Sequence, residues 1–184
     1  MREEFTYSLK IPKDRLGVLI GKNGDIKKKL EEATDTKIQV DSEEGDITIT
    51  ADDGIKLYDT KEIVKAIARG FNPEAAFILL KSDYILDIVD LREFSGKSKN
   101  IMLRLKGRVI GREGKSKREI ETLTETQISV YGKTIAVLGR VEDVPHARKA
   151  IENLLQGATH ASVYKFLEKK RRESHMVGLD ELKI

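Results

Sequence analysis

RLGVLIGKNGDIKKKLEEATDTKIQV (Arg15–Val40) and LKGRVIGREGKSKREIETLTETQISV (Leu105–Val130) are one segment written twice, 90 positions apart and without a gap. Ten of the 26 pairs are identical: Gly17/Gly107, Ile20/Ile110, Gly21/Gly111, Gly24/Gly114, Lys27/Lys117, Glu31/Glu121, Thr34/Thr124, Thr36/Thr126, Ile38/Ile128 and Val40/Val130. Chance would give about one or two, so this is an internal repeat. Each copy reads Ile-Gly-basic-polar-Gly, then a charged helix, then an alternating strand. That pattern predicts helix–loop–helix–strand with a Gly-x-x-Gly loop.

Working outward, Glu4–Ile11 alternates polar and apolar residues and predicts a strand that Pro12 ends. Helices are expected over Lys13–Ile20 and from about Asp25 to Ala33, the latter with Ile26, Leu30 and Ala33 inward. Thr36–Val40 and Ile47–Thr50 read as a hairpin, and Ile55–Arg69 as a helix with Ile63, Ala66 and Ile67 inward. The order is β-α-α-β-β-α. In the second copy Tyr84–Leu91 is the strand, followed by a polar insertion, Arg92–Asn100, that has no counterpart of that length in the first. Ile101–Ile110 and Lys115–Leu123 supply helices, Gln127–Tyr131 and Thr134–Leu138 a hairpin two residues tighter, and Val144–Gln156 the last helix of the repeat.

The expected fold class is therefore α+β, with two small domains, 1–71 and 84–157. The apolar run Ala75–Leu80 predicts a buried connector helix within 72–83, holding the domains together. A C-terminal helix, about Ala158–Glu173, and a polar tail that frays fill 158–184.

Of the 184 residues, 39% are hydrophobic and 35% charged, with no cysteine and a net charge of only +3. The absence of cysteine excludes disulfides, zinc–cysteine sites and thiol nucleophiles. There is no basic-then-apolar signal segment, and the apolar runs are too short to span a bilayer, so no membrane role and a cytoplasmic location are expected. Charge is informative by place. Lys97–Arg118 holds nine basic residues and one acid, a local +8, whereas the matching Tyr7–Lys28 holds six basics and two acids, a local +4. Both runs converge on the glycine loop.

Glycine in such a corner lets a sugar-phosphate backbone lie against the peptide. The following helix offers free N–H groups and the positive end of its dipole. The residues this chemistry selects are Gly21, Lys22, Asn23, Gly24, Lys27, Lys28 and Ile38 in the first copy. In the second they are Arg108, Gly111, Arg112, Glu113, Gly114, Lys115, Lys117, Arg118 and Ile128. Ile38 and Val40, with Val18, Leu19 and Ile20, are expected to form the wall and floor of an apolar groove for about four unpaired nucleotides. Glu113 puts an acid where phosphate must approach, but charge still ranks the second copy as the main site.

Both halves resemble type I KH domains, whose fingerprint is Val/Ile-Ile-Gly-x-x-Gly followed by a basic helix. Leu19-Ile20-Gly21-Lys22-Asn23-Gly24 and Val109-Ile110-Gly111-Arg112-Glu113-Gly114 match it, with Leu19 in place of the first β-branched residue. The chain over about residues 1–173 resembles the archaeal two-KH-domain ribosomal RNA processing family, which is similar to the eukaryotic small-subunit assembly factor called the partner of Nob. The resemblance implies single-stranded RNA binding near the 3′ end of 16S rRNA or its precursor, in small-subunit rRNA maturation. It also implies the Nob endonuclease and other small-subunit assembly or initiation factors as partners, and no cofactor. Alternatives within that frame are a protein-binding scaffold with little RNA contact and a general KH regulator.

An enzyme is disfavoured. Gly111–Ser116 is superficially a nucleotide-binding loop, but the glycine needed five residues before Gly114 is Val109. His146, His160 and His175 lack ligand spacing, and the acid pairs lie in turns or near the N-terminus. Lys165, Lys169, Lys170, Arg171 and Arg172 make a basic end that suits RNA or an acidic partner equally.

Overall fold

The computed structural model describes residues 4–181, with side chains to Ser174. The chain divides into two compact units, 1–84 and 85–184. In the first, β1 (Phe5–Lys10), α1 (Lys13–Ile20), α2 (Asp25–Thr34), β2 (Lys37–Asp41), β3 (Asp46–Ala51) and α3 (Gly54–Ala68) follow the expected order. The antiparallel sheet has β3 in the middle, in the order β1-β3-β2. The short helix α4 (Pro73–Ala76) and a 3-10 turn at Phe77–Leu80 follow. The second unit repeats the plan with β4 (Tyr84–Asp90), α5 (Arg92–Ser95), α6 (Lys99–Ile110), α7 (Lys115–Thr124), β5 (Gln127–Tyr131), β6 (Thr134–Arg140) and α8 (Val144–Leu155). Its sheet order is β4-β6-β5, and a final helix, α9 (His160–Glu181), is added.

Strand periodicity of two sets the cores. Ile38 pairs with Ile49 and Val40 with Ile47, as Ile128 pairs with Val137 and Val130 with Ile135. Ile47, Ile49, Leu19, Leu30, Ile63 and Ile67 are fully buried in the first unit. In the second, Val109, Ile120, Ile135, Val137, Ile151 and Leu154 form the counterpart, to which α9 adds Val163 and Leu167. The β5–β6 turn is two residues, Gly132-Lys133, against four between β2 and β3.

Most of the shared identities hold this frame. The carboxylate of Glu31 accepts from the Ile38 amide at 2.7 Å and pairs with Lys27 at 3.3 Å. Glu121 does the same with the Ile128 amide at 2.7 Å and Lys117 at 3.1 Å. Thr34 donates to the Leu30 carbonyl at 2.7 Å and meets the Thr36 hydroxyl at 2.8 Å; Thr124, Ile120 and Thr126 repeat this at 2.7 and 2.9 Å. These bonds tie the second helix of each repeat to the strand that follows it.

Several expectations change. The buried residue one turn after Leu30 is Thr34, and Ala33 is exposed, because the hydroxyl is satisfied internally and can be covered. Arg92–Asn100 is not an open insertion. It folds as α5 and the first turn of α6, whose N-terminus is capped by Ser98 accepting from the Ile101 amide at 3.3 Å. The connector breaks into α4, begun by Pro73 and capped by Asn72, and a 3-10 turn, both packed on α3 of the first unit. The tail expected to fray after Glu173 is helical to Glu181; 182–184 lie outside the described residues, as does the His175 side chain.

Removing the carboxylate of Glu121 strands a half-buried amide and an ion-pair partner. Glu121→Ala is expected to cost about 1–3 kcal/mol of unfolding free energy, with Glu121→Gln, which keeps an acceptor, costing less; urea denaturation measures both.

Candidate nucleic-acid interface

Each Gly-x-x-Gly loop is a single 3-10 turn that turns the chain between two helices at left-handed backbone angles. In the first, Gly21, Asn23 and Gly24 have φ of 75°, 55° and 80°; in the second, Gly111, Glu113 and Gly114 have 74°, 53° and 75°. Asparagine tolerates this region, whereas Glu113 is held there at a cost of about 1–2 kcal/mol.

The two glycines of a loop are needed for different reasons. A Cβ on Gly21 would lie 2.8 Å from the Ile26 amide, and one on Gly111 would lie 2.7 Å from that of Ser116, so these are required by the protein's own packing. A Cβ on Gly24 would meet nothing within 4 Å, and one on Gly114 only the mobile end of Arg118, at 3.1 Å. Gly17 and Gly107 lie on exposed helix faces where a Cβ again meets nothing within 4 Å. A helical glycine costs about 1 kcal/mol relative to alanine. At Gly24 and Gly114 the left-handed φ already calls for glycine, whereas at Gly17 and Gly107 the fold has no internal use for the bare space. Within each unit, residues 17 and 21, or 107 and 111, are four apart along the first helix and its end, so they share one face.

Cations surround that surface. Lys22, Lys28, Arg112, Lys115 and Arg118 are exposed and, among the described residues, form no ion pair. Lys27 and Lys117 lie beside them but are held by Glu31 and Glu121. No side chain caps α2 from Gly24 or α7 from Gly114. The first residue of the helix differs, however. In the first unit it is Asp25, whose carboxylate accepts from the Ile26 amide at 2.8 Å. In the second it is Lys115. The first loop thus supplies its own anion to the helix N-terminus, and the first residue of α7 supplies none.

Three selected residues serve the frame. Ile38 and Ile128 are 2% and 3% exposed, so neither offers area to a base. This corrects the expectation that they floor the groove: both point inward from the sheet, leaving half-buried Val40 and Val130 nearer the surface. Arg108 turns its guanidinium to the end of α8, with Nε donating to the Leu154 carbonyl at 3.0 Å and Nη2 to that of Ala158 at 2.6 Å. Arg15 does the same in the first unit, with Nε on Ile67 at 2.8 Å and Nη2 on the Phe71 carbonyl. The positions are not in register. Arg108 aligns with Val18, one turn beyond Arg15, so each copy ties its first helix to its last with a different arginine.

His160, which its sequence context marks as a helix-start or packing residue rather than a ligand, begins α9, and its Nε2 donates to the Arg108 carbonyl at 2.8 Å. The start of α9 is thereby pinned to the last turn of α6, directly before the loop. No local pattern signals this bond, which spans 52 residues. Phe166 and Tyr164 pack against the second core rather than facing a groove. Among the described residues, no group of three or more His, Cys, Asp or Glu is placed to hold a metal ion, and no helix is long and apolar enough to cross a membrane. A cavity of about 190 Å³ beside α9 is lined by Glu125, Glu142, Asp143 and His146 together with Arg140, Lys170 and Arg171. Burial, then Glu142 and Glu125, raise the Asp143 pKa.

Two β-α-α-β-β-α units, each cornered by such a loop, define a tandem KH-domain protein. The eukaryotic type KH domain (KH-domain type I) matches residues 85–172, and the KH domain matches residues 6–68. A KH domain-containing protein of Methanocaldococcus jannaschii is 48% identical over 169 residues, covering 90% of this chain and 74% of its own. Dim2p from Pyrococcus horikoshii superposes with a TM-score of 0.83 at 42% identity, over 90% of this chain and 99% of that one. A chain of the a/eIF2alpha–aDim2p–rRNA complex from the same organism gives 0.86 at 41% identity, over 92% and 96%. The pre-rRNA-processing protein PNO1 of Chaetomium thermophilum is 37% identical over 107 residues, and the match covers 40% of its length. The chain belongs to the family of two-KH-domain proteins that includes archaeal Dim2p and eukaryotic PNO1.

The geometry separates two arginines that sequence placed together. Arg112→Gln is expected to reduce the slope of log affinity against log salt by about 0.7 for single-stranded RNA, with stability unchanged. Arg108→Gln should leave the slope alone and lower unfolding free energy by about 2 kcal/mol, because two helix-end carbonyls lose a charged donor. Fluorescence anisotropy over a salt series and thermal melts read the two effects.

Proposed function

We propose that this protein binds single-stranded ribosomal RNA through its glycine-cornered loops and serves small-subunit rRNA maturation. It acts as a binding protein, not an enzyme, near the 3′ end of 16S rRNA or its precursor. The observation that carries this reading is the bare backbone at Gly107, Gly111 and Gly114 beside the unpaired Arg112, Lys115 and Arg118. Peptide without side chains admits the sugar-phosphate strand, and unpaired cations with an uncapped helix end attract it. A KH module of this kind clamps about four nucleotides.

Membership of a family whose relatives are named for pre-rRNA processing supports the choice of ribosomal RNA, as does the rRNA complex of the Pyrococcus relative. That complex also contains a/eIF2alpha, which favours a translation-factor subunit as one protein partner. A Nob-type endonuclease acting on the bound strand is the other partner of this reading. The second unit is the main RNA site: Lys115 stands where Asp25 occupies the corresponding end of α2.

Binding and stability should move in opposite directions at the helical glycine. Gly107→Ala is expected to stabilise the second unit by about 0.5–1 kcal/mol, since its Cβ enters open space and alanine favours helix. The same methyl should weaken binding of a single-stranded 16S 3′-end oligoribonucleotide by about tenfold, at roughly 1.4 kcal/mol per decade. Gly17→Ala should cost less affinity. Unchanged affinity for Gly107→Ala would contradict RNA lying on this face.

A further inference from the structure

The first helices of the two repeats have different lengths. α1 starts at Lys13, directly after Pro12, whereas α6 starts at Lys99, four residues ahead of Leu103, the position in register with Lys13. The extra turn is built, not frayed: Ser98 caps it and α5 packs against α6. Leu103, Gly107 and Gly111 fall at intervals of four on this helix and its end, so they share a face. Leu103 is 71% exposed and Ile101, nearby, 37%. Between Phe94 and Arg112 there is no acidic residue. Lys97, Lys99, Arg104 and Lys106 lie in that stretch and, among the described residues, form no ion pair.

An exposed leucine among unpaired cations has one well-matched kind of occupant: a ligand that is flat and apolar on one part and anionic on another. A nucleotide is such a ligand, with its base on Leu103 and its phosphate toward Lys99 or Arg104. The stripe continues the surface of bare backbone at Gly107, and Leu103 stands about 12 Å along the helix from Gly111, at 1.5 Å per residue. That distance lies beyond the reach of the loop itself. The first unit has no such platform, since Lys13 occupies the matching position at the very start of α1.

We propose that the added turn of α6, together with Leu103 directly after it, is a further RNA subsite that extends the groove of the second unit beyond the nucleotides held by its loop. The proposal rests on the RNA-binding reading of that loop and deepens it. It makes the second unit a reader of a longer strand than the first, which is a division of labour between two copies of one module.

The test uses the full chain with its first loop silenced by Lys22→Glu and Gly24→Asp. Single-stranded oligoribonucleotides of four and eight nucleotides, containing the same central four, are titrated by fluorescence anisotropy. The eight-nucleotide strand should bind more tightly than the four-nucleotide strand. Leu103→Ser with Arg104→Gln, both exposed and outside the core, should weaken the longer strand about tenfold, the scale of one lost base contact, and the shorter less than twofold. Equal losses on the two lengths, or no loss on the longer, overturn the subsite; the second result would give Leu103 to a protein partner. If neither strand binds the parent chain, the loop reading itself fails and the subsite falls with it.

Discussion

A left-handed turn between two helices is the constraint on which the structure depends. Glycine is fixed at its first position by the neighbouring amide of Ile26 or Ser116, which leaves no room for a Cβ. The turn sets the angle between the paired helices, places the start of α2 or α7 against open solvent, and aims the flanking cations at the same strip. Where the chain pays strain to keep this shape, as at Glu113 with φ of 53°, the surrounding bonds hold it. On the strand side these bonds are the Glu121–Ile128 link and the Thr124–Thr126 pair; on the helix side, Arg108 and His160.

Duplication has kept the frame and changed what surrounds it. The carboxylate-to-strand bond, the threonine pair and the glycine corners recur with nearly equal distances. The arginine that joins first and last helices has moved by a turn, from the position of Arg15 to that of Arg108. The residue at the head of the second helix has switched from Asp25 to Lys115. The second unit has gained a turn of helix before its loop and a whole helix after its repeat. These changes concentrate free positive charge in the second unit while leaving the turn itself untouched.

The fold was legible because its signals are local and repeated. Alternation in Phe5–Ile11, the paired Gly-x-x-Gly corners, Pro12 and Pro73 mark element ends without reference to distant residues. The site was legible only in part. Gly111, Arg112 and Lys115 lie in the proposed site where they stand in sequence. Arg108 does not: a basic residue in a helix reads as surface charge, and its carbonyl partners lie 46 and 50 residues away. Ile38 and Ile128 were misplaced because alternation shows which face a strand residue takes, not whether a helix covers that face completely. The early start of α6 did have a signal, Ser98 three residues before Ile101, but it was hidden in a stretch that reads as polar loop.

The most direct test of the central claim is a titration of isotopically labelled protein with a single-stranded 16S 3′-end oligoribonucleotide, followed by amide resonances at low ionic strength. The account predicts that the largest shifts fall at Gly107 and Gly111–Ser116, with smaller ones at Gly17 and Gly21–Ile26. Shifts confined to other surfaces, with both loops silent at saturation, would contradict it.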